Sequence, residues 1–335
     1  MALTPTPRGK MARLYVAPQT DFSTFPTGAF QELNFMSETV ARANTLPNDP
    51  EMGGARHNPG DPTDPGPGRP TASGQLTLPM DMNQLTWWLY LAFGAPASST
   101  DNGNGNYTHV FHSGAQDLPD FGAQIALRSG HVKPVPGLKI NELSFATGKE
   151  EGYRTFTASV LGRDASNVAA LTGASQTALP PRAKTAAVIG RALIDDVAIA
   201  QHISGSFSYA NALEAVDYAD DSASVSRYDP GDRTISFQPR LRTLEGANPD
   251  AVLDKFQDER TPFKFEVEWK RSETSSLSLT VPRAFAPTPT PTASNGGAQE
   301  FDAQISAAQT TGETPQPMLI VTLKNQIALT AVTGA

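Results

Sequence analysis

The segment "FKFEVEW" sets Phe263, Phe265, Val267 and Trp269 on one face of an extended chain and Lys264, Glu266 and Glu268 on the other. Alternation of period two cannot wrap a helix, so it commits the segment to a strand with one buried face. The same pattern recurs through the C-terminal half. "LSLTV" buries Leu277, Leu279 and Val281, "FDAQI" buries Phe301, Ala303 and Ile305, and "LIVTL" buries Leu319, Val321 and Leu323. Upstream, "TISFQPRL" groups Ile235, Phe237 and Leu241. Pro239 has no N–H for a ladder and predicts an edge strand or a bulge there. One helix is predicted between these runs, with Asn248 as N-cap, Pro249 in the first turn and an apolar stripe of Val252, Leu253 and Phe256.

The N-terminal half follows the same order. Leu33 and Phe35 alternate in "ELNF", then Leu76, Leu78 and Met80 in "QLTLPM". A helix follows, with Asp81 or Asn83 as cap, an apolar set of Leu85, Trp88, Leu89 and Phe93, and Gly94 at its end. Strands resume in "FGAQIAL", "LKINELSF" and "RTFTASV". In "LKINELSF" the apolar phase slips between Ile140 and Leu143, which predicts a bulge. The elements correspond in order: Phe35 with Phe207 or Tyr209, Leu76 with Ile235, Ile125 with Val267, Ile140 with Leu279, and Phe156 with Phe301. The expected architecture is therefore mainly β, with two sandwich-like or half-barrel lobes that carry one short helix each and are related by internal duplication. A chain of 335 residues also exceeds the usual single-core size. The first lobe is expected over residues 1–165 and the second over 191–335, joined by an Ala/Thr-rich connection at 166–190.

Each lobe interrupts its first two strands with a polar excursion. In the first, residues 42–73 include a stretch in which Pro and Gly dominate: of residues 46–74, seven are Pro and six are Gly. In the second, residues 214–233 separate "SFSY" from "TISF". The chain has no cysteine, which excludes disulfide staples and thiolate metal sites and fits a reducing compartment. Its N-terminus lacks the apolar core of a signal peptide, and its most apolar run, "WWLYLAF", is too short to span a bilayer. A net charge of −8 argues against tight nucleic-acid binding, which needs phosphate neutralisation.

Searches for chemistry fail on spacing. His109 and His112 point to opposite faces of a strand and cannot share a metal. "DNGNGNY" lacks the regular oxygen spacing and closing Glu of a calcium loop. The pairs Asp195–Asp196 and Asp220–Asp221 diverge on an extended chain and read as solvated turns rather than a catalytic dyad. In "GSFSY" a Phe stands where a nucleophile elbow needs Ser. The pair Trp87–Trp88 reads as core within an apolar helix, and only exposure would make it a sugar platform. Neither a cofactor nor a metal is expected, and an enzyme is disfavoured.

Over nearly its whole length the chain resembles the tail tube proteins of phages with long non-contractile tails, in their two-lobed version. The resemblance rests on "LNFMSETV" leading into a long polar loop, on "TASGQLTLPMDMNQLTWWLYLAFGAP", "YTHVFHSG" and "LKINELSFATGKEEGYRTFTASVLG", and in the second half on "ISGSFSYANALEAV", "GDRTISFQPRL", "FKFEVEW" and "LIVTLKN". None of these is specific alone; their order carries the likeness.

The resemblance implies a structural virion protein, assembled in the host cytoplasm, whose rings stack into a tube lining a channel for viral DNA during ejection. Two tube lobes per chain imply a trimeric ring with pseudo-six-fold symmetry, or a hexamer if the second lobe is peripheral. Implied partners are copies of the chain itself, tail proteins such as the tape measure and tail terminator, and double-stranded DNA passing without specific binding; no membrane is implied. The loop after the first strand then becomes an arm reaching the next ring, with Met52, Arg56, His57, Asp61 and Arg69 as contact candidates. Its second-lobe counterpart offers Tyr218, Asp220, Asp221, Arg227 and Tyr228. Asp232, Glu266, Glu268 and Asp302 lie on polar strand faces or ends and face either the channel or outer solvent. The alternatives are a capsid decoration or other virion protein, and a carbohydrate-binding β-sandwich with exposed Trp87, Trp88 and Trp269.

Overall fold

The computed structural model describes residues 9–48, 64–66, 68–149, 151–173, 175–185, 190–199, 202–219, 223–242, 259–289, 300–312 and 316–333. The expected helix carrying Val252, Leu253 and Phe256 lies outside them. Ten strands come first: β1 (Arg13–Gln19), β2 (Ala29–Leu33), β3 (Ser37–Glu38), β4 (Ala41–Ala43), β5 (Thr71–Pro79), β6 (Ser98–Asp101), β7 (Tyr107–His112), β8 (Asp120–Arg128), β9 (His131–Gly148) and β10 (Thr155–Gly162). The short strands β11 (Ser175–Thr177), β12 (Gly190–Ile194) and β13 (Val197–Ala198) follow. The rest are β14 (His202–Ala210), β15 (Leu213–Val216), β16 (Arg227–Pro230), β17 (Thr234–Arg242), β18 (Phe263–Ser272), β19 (Ser275–Phe285), β20 (Glu300–Asp302), β21 (Ile305–Ala307) and β22 (Ile320–Asn325). Among the described residues there are two α-helices, α1 (Leu85–Phe93) and α2 (Thr330–Thr333).

The alternating residues go where period two sends them. In β18, Phe263, Phe265, Val267 and Trp269 are buried while Lys264, Glu266, Glu268 and Lys270 are not. Pairing order repeats between the halves. In the first, β3 and β4 flank β5, followed by β10, β9 and β8. In the second, β14 flanks β17, followed by β20 and β21, then β19 and β18.

The halves are joined rather than merely tethered. β9 turns from β8, which it pairs over residues 131–138, to β14, which it pairs from Glu142–Ala210 to Gly148–Ser204. The C-terminal strand β22 lies between β19 and β7 of the first half. One hydrophobic cluster runs from Leu14 to Val332 and takes side chains from both halves. Across it Phe145 of β9 meets Trp269 of β18 at 5.5 Å, and Phe237 of β17 meets Phe265 at 4.7 Å. The layer holding β9, β14 and β17 therefore packs on the layer holding β18, with outer faces pointing opposite ways.

Two local expectations meet the structure differently. The bulge in β9 is present: Glu142 opposes Ser159 and Ile140 opposes Val160, leaving Asn141 as the extra residue. A bulge is present beside Pro239, where Ile203 of β14 is the extra residue between the pairs His202–Leu241 and Ser204–Arg240. Pro239 is not itself in the bulge, and β17 is paired on both sides. Pro239 opposes Gly205 of β14, and on its other side the neighbouring strand is broken between β20 and β21. There the missing N–H costs nothing, and the Ala303 N–H still reaches Pro239 O at 3.0 Å.

Candidate functional surfaces

Helix α1 is the pin of the joint. Every residue in it except Tyr90 is buried, including Leu85, Trp88, Leu89 and Phe93. A helix apolar all round belongs inside a core. Trp88 meets Phe121 edge-on at 6.4 Å, and Phe93 stacks on Tyr209 of β14 at 4.6 Å. Burial pushes the Tyr209 phenol up to about 12. The residue before the helix is Gln84, already helical and without a side-chain cap. Asp81 instead caps the preceding turn, accepting the N–H groups of Asn83 and Gln84 at 3.1 and 3.4 Å. Its other oxygen accepts the Ala183 N–H at 3.1 Å, tying the 166–190 connection down, and burial raises its carboxyl. Gly94 ends the helix at φ +80°, donating to Tyr90 O.

Asn211, fully buried just after β14, locks the second half to the first. Its Nδ2 donates to Ala92 O at the end of α1 (3.1 Å) and to Ile140 O of β9 (3.0 Å), while its Oδ1 accepts from Arg233 Nε (3.3 Å). Its backbone N–H donates to Asn141 O at 2.7 Å.

The outer face of the layer containing this joint is rich in hydroxyls. Cross-strand register aligns Thr77, Thr157, Ser144, Ser208, Ser236 and Ser306, one from each of β5, β10, β9, β14, β17 and β21. Directly opposed residues share a face, so the row is continuous across both halves. Beside it Gln75, Ser159 and Glu142 line a shallow open concavity together with Thr157 and Ser144. Sequence reasoning passed over these positions. Their signal is the polar phase of the same alternation, "QLT", "TFTAS" and "SFS" read on the odd letters.

The two loops converge at their bases. Arg69, in the 42–73 loop, forms a two-point ion pair with Asp217 in the 214–233 loop. Both side chains are largely exposed, so the pair contributes well under about 1 kcal/mol. Next to it Gly68 passes so close to Thr45 that a Cβ would lie 2.0 Å from Thr45 O, and Gly66 donates to Pro47 O at 2.9 Å. Met52, Arg56, His57 and Asp61 lie outside the described residues, as do Asp220 and Asp221. The second loop contains the hairpin of β15 and β16. Within it Tyr218 is exposed and Arg227 pairs with Asp229, but Tyr228 is buried against Phe22 at 5.9 Å.

The four carboxylates do not gather. Glu268 pairs with Arg191, and Glu266 accepts from Ser278 Oγ at 2.8 Å, both on the outer face of β18. Asp302 is exposed opposite Arg240, and Asp232 is exposed in the turn before β17. Chemistry is equally dispersed. His109 is buried between Ser99 Oγ and Ile327 O, each at 2.9 Å, and burial lowers its pKa. Asp195 and Asp196 form a tight left-handed turn, with Asp196 paired to Lys264. No group of three potential metal ligands occurs among the described residues, and none of their helices is long and apolar enough to cross a membrane. Trp87, Trp88 and Trp269 are buried, so none can serve as a sugar platform.

What the fold presents is a continuous two-layered β assembly with broad polar surfaces, the class of a structural building block. The phage tail tube protein family model matches residues 9–317, and the chain belongs to that family. The family is structural rather than enzymatic and implies a place in the virion tail. Among curated proteins no match is found.

Proposed function

We propose that three copies of this chain close into a ring of pseudo-six-fold symmetry, that rings stack into the tail tube, and that the bore carries viral DNA into the host. The observation that supports this best is the joint between β9 and β14. It adds β14 of one half to the sheet of the other, within one chain, and the strands of the two halves pair in a similar order. We read this likeness as an internal duplication, with tube lobes at 1–165 and 191–335. A joint of the same kind between chains would cover the edge left by β4, whose three residues are all exposed. Three chains would then supply six lobes.

The arm at 42–73 reaches the adjacent ring, its base held by Arg69 and Asp217. Tape measure and tail terminator proteins are the expected partners at the bore and tube end. Electron microscopy of the purified chain, with native mass spectrometry of single rings, tests the reading. Hollow rings of three copies with six similar densities are expected. Rings of six copies would replace the trimer, and persistent monomers would sink the tube reading.

A further inference from the structure

The outer face across the β9–β14 joint carries hydroxyls where a wall that grips DNA would carry cations. Its central row holds Thr77, Thr157, Ser144, Ser208, Ser236 and Ser306, all half-buried or exposed. In the row on one side, Gln75, Ser159, Glu142, Ala210 and Thr234, Glu142 is the single charge. On the other side Ala146, Ser206 and Gln238 are neutral. Among the described residues of β17 and β20, charges stand at the margin of the face, where Arg240 and Arg242 both bind Glu300 and Asp302 lies opposite Arg240. Glu266 and Glu268 are elsewhere: the contacts of Phe145 with Trp269 and of Phe237 with Phe265 put them on the opposite layer, facing away.

We propose that this hydroxyl face, and not the carboxylates of β18, is the wall along which the DNA duplex moves. The inference rests on the tube reading and adds to it which surface meets the DNA and by what chemistry. Cations on a wall would displace the counterions of the duplex and hold it. Hydroxyls donate to phosphate oxygens or to water with nearly equal ease, so each contact exchanges with the hydration shell of the moving DNA. Ser and Thr are also short, which leaves the wall smooth. Because the rows cross the joint between halves without a break, repeating that joint around a ring would continue them into a closed band.

The absence of cysteine makes the assignment testable with single thiols. Ser208→Cys and Glu268→Cys are each assembled into tubes and treated with N-ethylmaleimide or with a maleimide on a polymer too wide to enter the bore. The Ser208→Cys thiol is expected to react with the small reagent in tubes while its reaction with the polymer falls by more than an order of magnitude relative to free subunits. The Glu268→Cys thiol is expected to react with both. Polymer labelling of Ser208→Cys at the free-subunit rate, or protection from both reagents, overturns the wall assignment while leaving the tube reading standing. Wild-type chains that form no hollow rings overturn the tube reading itself. Ser236→Cys repeats the measurement if the first variant does not assemble. Phage particles carrying Ser208→Lys are expected to eject DNA severalfold more slowly at low salt and normally at high salt. Unchanged ejection at low salt overturns the neutral-wall argument.

Discussion

Asn211 offers the sharpest test of how the halves are held together. In Asn211→Ala the backbone bond to Asn141 O is kept, but both Nδ2 donations and the contact to Arg233 Nε are lost. Ala92 O loses its side-chain donor at a helix end, where the last carbonyls have no intrahelical partner. Ile140 O loses one of its possible partners, and Arg233 keeps its bond to Ala115 O. A buried polar group stripped of its partner costs about 1–3 kcal/mol. One such group fully stripped and a second partly stripped give a loss of about 3 kcal/mol, on the order of 100-fold in the unfolding equilibrium. Asn211→Asp keeps the volume and reverses the polarity, setting a carboxylate against two carbonyl oxygens. At neutral pH it is expected to be the less stable of the two. Urea unfolding followed by the fluorescence of the buried tryptophans reads both variants. An alanine variant within about 0.5 kcal/mol of wild type, the range of an ordinary surface change, would refute the account, as would an aspartate variant of wild-type stability.

Other consequences follow from single features. Burial lowers the pKa values of His109 and His202 below the unfolded value of about 6.5, so the unfolded chain takes up protons first and stability falls as pH drops below that value. His109→Gln is expected to flatten this slope by up to about 1.4 kcal/mol per pH unit, read from urea midpoints; an unchanged slope would count against it. Trp269→Ala removes the ring that bridges the layers and is expected to cost about 3–5 kcal/mol, while Trp269→Phe costs less than half of that; equal losses would show that the bridge is not the cause. Asp217→Ala is expected to change subunit stability by less than about 1 kcal/mol in denaturant titration, since the pair with Arg69 is exposed. Deleting residues 48–69 should leave rings intact in electron micrographs but impair their stacking, and undisturbed tubes would reject the arm.

Much of the strand content was legible because alternation is a local property. Phe263 to Trp269 each need only an extended chain and one apolar side, and the slip between Ile140 and Leu143 announces its bulge in the same way. Pro239 announced irregular pairing but not its form, because the rule that Pro avoids interior ladders considers only its own strand. Here the neighbouring strand is interrupted opposite Gln238 and Pro239, between β20 and β21. Tyr228 read as part of a polar excursion because its neighbours are mostly polar, and it becomes a core residue through a small cluster with Val225 and with Phe22, some two hundred positions away. The hydroxyl row was in plain view as the polar phase of each strand, but its members became a row only through register.

The sequence alone determined many of the strands, which side of each of these is buried, that α1 belongs inside, and that the chain has no cysteine. These follow from periodicity, capping and composition, which act over a few residues. The tertiary structure decided that β9 leaves β8 to pair with β14, that β22 returns to β7, and that Asn211 and Trp269 knit both halves to one core. It also decided that Ser144, Ser208 and Ser236 lie side by side while Glu266 and Glu268 face the other way. Strand pairing and layer packing depend on which distant edges meet, and an edge presents the same backbone groups to any partner, so that choice is made by the whole assembly of side chains rather than by any one segment.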